Sequence, residues 1–131
     1  MKFIIKNIKW VMLVSGALTF TMFYGLFAPQ AALESMFGAS FNGTLESIVV
    51  RSWSALVGLI GGMLIYGAFS EKNRVFAISI ASISKVIFVS LVMLYGKEYL
   101  GKVAPAIAMD CATVFLAVVF LVAVRMERAA A

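Results

Sequence analysis

The chain has 131 residues, of which 63% are hydrophobic and 13% are charged. Soluble globular domains contain about 45–50% apolar and about 25% charged residues, and a short soluble chain buries only about two-thirds of its surface. This composition excludes a soluble enzyme, a disordered tail and a small secreted domain, and it predicts an integral membrane protein. The formal charge of +5 does not indicate nucleic-acid binding, because the basic residues lie scattered at the ends of apolar runs.

The residues that carry most metal and acid–base chemistry are scarce. The chain has no histidine and one cysteine, Cys111. One cysteine cannot form an internal disulfide, and without histidine there is no plausible ligand set for zinc, copper, haem or di-iron. Serine–histidine and cysteine–histidine catalysis lack their base. We therefore expect no metal and no cofactor, and the sequence favours a non-enzymatic role without deciding the question.

Charged residues divide the chain into four apolar runs, each close to the roughly 20 residues that a membrane-crossing helix needs. The predicted spans are residues 10–28, 48–70, 75–96 and 103–124. Pro29 ends the first span, and Pro105 lies in the first turn of the fourth, where its missing N–H is tolerated. The sequence therefore predicts an all-α, four-helix antiparallel bundle that forms a single domain over residues 1–131.

The connections between the predicted spans differ in length. The segments 71–74 and 97–102 are short, so spans two, three and four should be antiparallel neighbours. The first connection, from Pro29 to Glu46, is longer and contains several apolar residues. It is predicted to lie as a short interfacial helix or loop over one mouth of the bundle.

Lysine and arginine are distributed unequally between the two ends of the predicted bundle. The richer end carries Lys2, Lys6, Lys9, Lys72, Arg74, Arg125 and Arg128. The other end carries Lys97 and Lys102, with Arg51 at the start of the second span. Because cytoplasmic loops hold the excess of basic residues, both termini are predicted to be cytoplasmic.

Small residues form a stripe on one face of the second span. The stripe consists of Ser54, Gly58, Gly61 and Gly62. Membrane helices use such residues to approach one another closely, so the stripe predicts helix packing within the chain, with a homodimer seam as the alternative. Flexible methionines such as Met22 and Met109 are predicted to fill the bundle interior.

Two ionisable residues, Lys85 and Asp110, lie inside predicted spans, and Arg51 lies near a membrane edge. Such residues cost at least about 2.5–3.5 kcal/mol each to insert, so they face the bundle interior and find partners. At about 1.5 Å of rise per residue, Arg51 and Asp110 are nearly level, and the long side chain of Lys85 can reach them. Arg51 also shares a helix face with Gly58. The three charges are therefore predicted to meet in the outer half of the bundle.

This charged cluster has two interpretations. The structural interpretation is a buried pair that determines which helices pack against each other, without adding much stability. The functional one is a pocket with a positive remainder, because two cations oppose one anion unless Glu46 folds inward. Such a pocket suits an anionic headgroup, a carboxylate or a quinone-like polar end, with Ser82 and Thr113 adding hydrogen bonds.

The strings VVRSWSALVG (residues 49–58) and GGMLIYGA (residues 61–68) resemble the second helix of small DoxX-like four-helix membrane proteins, which carry an arginine before a glycine-rich helix. The string SKVIF (residues 84–88) and Asp110 are similar to related uncharacterised bacterial families. The resemblance covers most of the chain. It implies a four-helix bundle and very little chemistry. We expect the protein to be a multi-pass protein of a bacterial inner membrane.

Two functional hypotheses follow from the sequence. The first is a non-enzymatic membrane protein that binds a lipophilic or anionic small molecule, or serves as a subunit of a membrane assembly, through Arg51, Lys85 and Asp110. The second is a small homodimeric transporter that couples to protons or ions through Lys85 and Asp110. The expected partners are membrane lipid, a small ligand, and a second copy or another membrane protein.

Overall fold

The computed structural model describes residues 2–130, and all regular secondary structure in this range is helical. The elements in chain order are α1 (Lys2–Phe20), a 3₁₀ segment (Thr21–Leu26), α2 (Pro29–Phe37), α3 (Thr44–Phe69), α4 (Glu71–Tyr95), a 3₁₀ turn (Lys97–Tyr99) and α5 (Leu100–Ala130). The predicted helical class is therefore confirmed over residues 2–130.

Four helical stretches within residues 2–130 are long and apolar enough to cross a membrane. They are Lys2–Leu26, Thr44–Phe69, Glu71–Tyr95 and Lys97–Ala130. Large apolar side chains cover the outside of these helices, and Leu94, Leu59 and Phe115 are each more than half exposed. Apolar exposure on this scale indicates a surface that faces lipid, and with the four helices it indicates a multi-pass membrane protein.

The helices extend beyond the predicted spans, because charged residues at a helix end continue the helix outside the apolar run. Residues 71–74, the predicted short connection, form the first turn of α4, and Ser70 alone separates α3 from α4. Arg74 stabilises the tight connection between α3 and α4. Its guanidinium donates hydrogen bonds to the carbonyls of Gly67, at 3.1 Å, and Ala68, at 2.6 Å. Helix α5 begins three residues earlier than predicted, so Pro105 lies inside the helix instead of in its first turn.

The long helices contact one another in a ring. Helix α1 contacts α3 and α5, and α4 also contacts α3 and α5. The short helix α2 lies at one end, where it touches the 3₁₀ segment, α3 and α5. Pro29 occupies its first turn, which suits a residue without an N–H. We call the end of the four-helix arrangement where α2 lies the α2 end. The opposite end, which contains the start of α1 and the end of α5, is the terminal end.

The terminal end contains a closely packed apolar core. Its buried members come from all four long helices and are Ile8, Met12, Leu64, Ala68, Ala77, Ile78, Ala81, Ala117 and Phe120. None of them is more than 3% exposed. This core joins the first half of α1 and of α4 to the second half of α3 and of α5.

The small-residue stripe of α3 packs against α1 and the 3₁₀ segment of the same chain. A Cβ atom on Gly61 would lie 2.7 Å from the carbonyl oxygen of Gly16, so the two backbones are in direct contact. Gly58 accommodates the ring of Phe23, and Ser54 packs against Gly25. These contacts of Ser54, Gly58 and Gly61 are made within the chain, whereas Gly62 has only the Phe20 ring nearby.

Candidate functional site

Lys85 and Asp110 form a buried ion pair between α4 and α5. Lys85 Nζ lies 2.7 Å from Asp110 Oδ1, and the two side chains are 7% and 10% exposed. Lys85 continues the stripe of Ala77 and Ala81 along α4 at a spacing of four residues, so the helix must point it inward. Asp110 is likewise on the buried face of α5. The direct contact predicted for these two residues is present.

Helix α1 supplies hydroxyl groups to this pair. Lys85 Nζ also donates to Thr19 Oγ1 at 3.4 Å, and the hydroxyl groups of Ser15 and Thr113 are hydrogen-bonded to each other at 3.4 Å. All of these side chains are at least nine-tenths buried. We call Ser15, Thr19, Lys85, Asp110 and Thr113 the polar cluster. It separates the apolar core from the α2 end of the molecule.

A cavity of about 460 Å³ lies on the α2 side of the polar cluster. Its lining residues are Leu18, Thr19, Met22, Met36, Trp53, Leu56, Val57, Ile60, Ser84, Lys85, Ile87, Phe88, Leu91, Ala106, Met109 and Asp110. The volume falls within the range of about 300–1,000 Å³ that small-molecule sites occupy. Most of the wall is apolar, and its charged groups are Lys85 and Asp110. The cavity is therefore amphipathic.

An aromatic cluster lies at the α2 end beside the cavity, and lining residues at the side of the cavity are exposed. Phe37, at the end of α2, packs against Trp53, Phe88 and Tyr99, with ring centroids 6.5, 6.3 and 5.7 Å away. Leu56 on α3 and Ile87 and Leu91 on α4 line the cavity and are also more than half exposed on the outer surface. The cavity therefore reaches the outer surface between α3 and α4, the region that lipid occupies, and Leu18 on α1, which also lines it, is half exposed as well.

Arg51 lies apart from the ion pair, contrary to the prediction that three charges meet. It is exposed, and its guanidinium donates to the carbonyl of Leu26 at 2.6 Å and to Ser47 Oγ at 3.2 Å. Arg51 does share a face with Ser54 and Gly58, but that face turns toward α1 and the 3₁₀ segment. The residues of α3 that face the cavity are on another side of the helix. Glu46 is also exposed, so it does not fold into the bundle.

Ser82 and Thr113 do not line the cavity, so the hydrogen bonds predicted from them to a ligand are not supported by their positions. Thr113 bonds to Ser15 and to the Met109 carbonyl of its own helix, at 2.9 Å. Ser82 is buried, and its Oγ has no hydrogen-bond partner among residues 2–130. Both are one turn from a cavity residue, but on the side that faces the apolar core.

Sequence reasoning missed the contribution of α1 to the site. Ser15 and Thr19 are four residues apart in a helix without a charge from Trp10 onward, and this spacing of polar groups was the available signal. Met22 and Met109, predicted as interior filler, line the cavity with Met36. Within the described part of the chain, no three His, Cys, Asp or Glu side chains lie together as a metal site would need.

No family model, curated protein or solved structure matches this chain. The resemblance to DoxX-like proteins stays a prediction, and the function must be argued from the geometry of the cavity and the polar cluster.

Proposed function

We propose that this protein is a non-enzymatic membrane protein that binds a lipophilic small molecule in the cavity, alone or as a subunit of a membrane assembly. The observation that carries the proposal is an apolar cavity that ends on a buried ion pair and opens sideways between two lipid-facing helices. An apolar pocket with a few convergent polar groups is the usual form of a small-molecule site.

The wall of the cavity suits a flexible apolar ligand. Met22, Met36 and Met109 come from three different elements and line the same space. Methionine side chains are unbranched and polarizable, so they adapt to ligands of irregular shape. Lys85 and Asp110 then provide the directional contacts, and they orient the ligand with its polar end toward the centre of the bundle. A ligand would reach the site from the bilayer, through the opening beside Leu56 and Ile87.

We also propose an antiparallel bundle with both termini in the cytoplasm, in a bacterial inner membrane. The apolar core supports alternating helix directions, since it joins first halves of α1 and α4 to second halves of α3 and α5. The basic residues predicted for the cytoplasmic end then all lie at the terminal end. The positive-inside rule therefore supports a cavity that lies in the outer half of the membrane.

A homodimeric proton- or ion-coupled transporter that uses Lys85 and Asp110 is the alternative. Its support is the set of hydrogen bonds that links Lys85 to Thr19 and Thr113 to Ser15. Against it stands the apolar core at the terminal end, whose buried members named above offer a proton no ionisable group beyond the polar cluster. Proton-dependent flux into liposomes that Asp110→Asn abolishes would favour the transporter over the binding protein.

The test of the binding proposal uses two matched variants on α5. Ala106 lines the cavity, whereas Ala108 is exposed on the outside of the same helix. Native mass spectrometry of gently extracted protein should show a retained lipophilic molecule. Ala106→Phe fills the cavity and should abolish this adduct, while Ala108→Phe should retain it. Equal retention by both variants, or wild-type protein without any adduct, would contradict the proposal.

A further inference from the structure

The charged groups in the cavity wall neutralise each other. Lys85 and Asp110 carry opposite charges and touch at 2.7 Å, and no other charged side chain lines the cavity within residues 2–130. The cation that would have left a positive remainder, Arg51, bonds to the Leu26 carbonyl at a separate surface depression. The cavity therefore presents a dipole to its ligand, and its net charge is zero.

The ion pair leaves hydrogen-bonding capacity on both partners. Lys85 Nζ has three N–H donors and gives two of them, to Asp110 Oδ1 and Thr19 Oγ1. Asp110 Oδ2 accepts no hydrogen bond from any side chain or backbone group among the described residues. This oxygen is not fully enclosed by protein atoms. Because both residues line the cavity, the unused capacity of the pair is one donor and one acceptor for a ligand bound there.

A buried site of this kind discriminates by charge. A fatty-acid anion would gain attraction from Lys85 but meet repulsion from Asp110 at nearly the same distance, and an alkylammonium would meet the reverse. Either ion loses its hydration energy in the apolar cavity. The attraction from one partner of the ion pair and the repulsion from the other nearly cancel, so they do not compensate for this loss. An uncharged head that both accepts and donates a hydrogen bond satisfies Lys85 and Asp110 together at a much lower desolvation cost.

On the basis of the proposed function, we propose that the cavity selects uncharged, hydroxyl-bearing amphiphiles, such as long-chain alcohols or monoacylglycerols taken from the bilayer. The hydroxyl oxygen accepts from Lys85 Nζ, and the hydroxyl hydrogen is donated to Asp110 Oδ2. The hydrocarbon chain lies along the apolar wall toward the opening between α3 and α4. The corresponding carboxylates and ammonium ions are excluded.

Trp53 provides the measurement, because it lines the cavity. Trp10→Phe removes the other tryptophan, which lies exposed near the terminal end. Quenching of Trp53 is titrated with bromododecanol, bromododecanoate and bromododecylammonium at a pH where both ions are charged. The Ala106→Phe variant, in which the cavity is filled, is titrated in the same Trp10→Phe background. Its quenching comes from probe dissolved in the surrounding detergent and is subtracted from that of the protein with an open cavity. The alcohol should bind more tightly than either ion by at least about tenfold, given the cost of burying a charge.

Charge variants should switch this preference. Asp110→Asn leaves Lys85 without its counter-ion, so the carboxylate should become the preferred probe. Lys85→Gln leaves Asp110 unpaired, so the ammonium should become preferred. Glycerol has the hydroxyl groups but no chain, and it should not compete with the alcohol; competition would assign the site to water-soluble polyols and overturn the bilayer source.

The outcomes separate this inference from the proposed function. If the wild-type protein binds the carboxylate or the ammonium as tightly as the alcohol, the selectivity is wrong and the binding function stands. If none of the three probes gives quenching above the Ala106→Phe level, the binding function itself is wrong. Should a charge variant fail to fold, the wild-type comparison alone still decides the question, because it needs no substitution at either charged residue.

Discussion

Lys85 and Asp110 touch at 2.7 Å although 25 residues of sequence separate them. Each residue follows the apolar core on its own helix, in the direction of the α2 end, and each is enclosed by its neighbours. Because both are charged and buried, each depends on the other for the compensation that water would otherwise supply. The pair therefore couples the position of α4 to that of α5 at the level where the cavity begins.

Removing one partner of this pair should destabilise the protein strongly. Lys85→Met leaves the Asp110 carboxylate buried without a counter-ion, and we expect a loss of about 3–5 kcal/mol in the free energy of unfolding. The double variant Lys85→Met with Asp110→Leu removes both charges and should recover most of this loss. Unfolding of all three proteins in detergent micelles checks the expectation. A double variant as unstable as the single one would show that the pair contributes something other than mutual neutralisation.

The contact between α1 and α3 should be intolerant of a single methyl group at Gly61. The new Cβ would lie 2.7 Å from the Gly16 carbonyl oxygen, so a backbone would have to move, and we expect Gly61→Ala to cost about 1–3 kcal/mol of unfolding free energy. Gly62 is the matched control. A Cβ there would meet only the Phe20 ring, at 3.7 Å, so Gly62→Ala should be neutral or slightly stabilising. Equal effects of the two substitutions in thermal unfolding would contradict the close approach.

Much of the architecture follows from the sequence for simple physical reasons. Apolar runs of the length of a bilayer predict the four long helices, and the insertion cost of a charge predicts that Lys85 and Asp110 face inward and pair. The long connection after Pro29 predicts a short helix or a loop over one mouth, and helix α2 occupies that position.

The cavity could not be predicted in the same way, because it depends on which helix faces which. Periodicity places Arg51, Ser54 and Gly58 on one face of α3, but it does not say whether that face meets α1 or α4. The close glycine contacts show that this face packs against α1. Arg51 therefore lies away from the ion pair. The lateral opening depends on the same arrangement, since Leu56 lines the cavity only when the stripe is turned toward α1.

This arrangement predicts that Arg51 is dispensable for ligand binding. Arg51→Met should leave probe binding to the cavity close to wild type, because the guanidinium bonds to Leu26 and Ser47 outside it. Its effect should be on stability instead, through the carbonyl of Leu26 that loses a donor, at a cost of about 1 kcal/mol. Quenching of Trp53 by bromododecanol and unfolding in micelles measure the two effects separately. Binding weakened as much as in Lys85→Gln would place Arg51 in the site after all.

The proposed orientation can be tested at the two ends of the bundle. Ser40 lies between α2 and α3, and Lys72 lies in the first turn of α4. Both are exposed, so a cysteine at either position should react with a maleimide that reaches it. Cys111→Ser provides the background, since the native cysteine is exposed on α5.

A membrane-impermeant maleimide added to intact spheroplasts should label Ser40→Cys, because the α2 end faces outward in the proposed orientation. Lys72→Cys should be labelled only after the membrane is permeabilised, since the proposed orientation places the basic terminal end in the cytoplasm. The opposite pattern would place the cavity in the inner half of the bilayer. A ligand would then be taken from the cytoplasmic leaflet. It would still enter through the lateral opening beside Leu56 and bind to the ion pair.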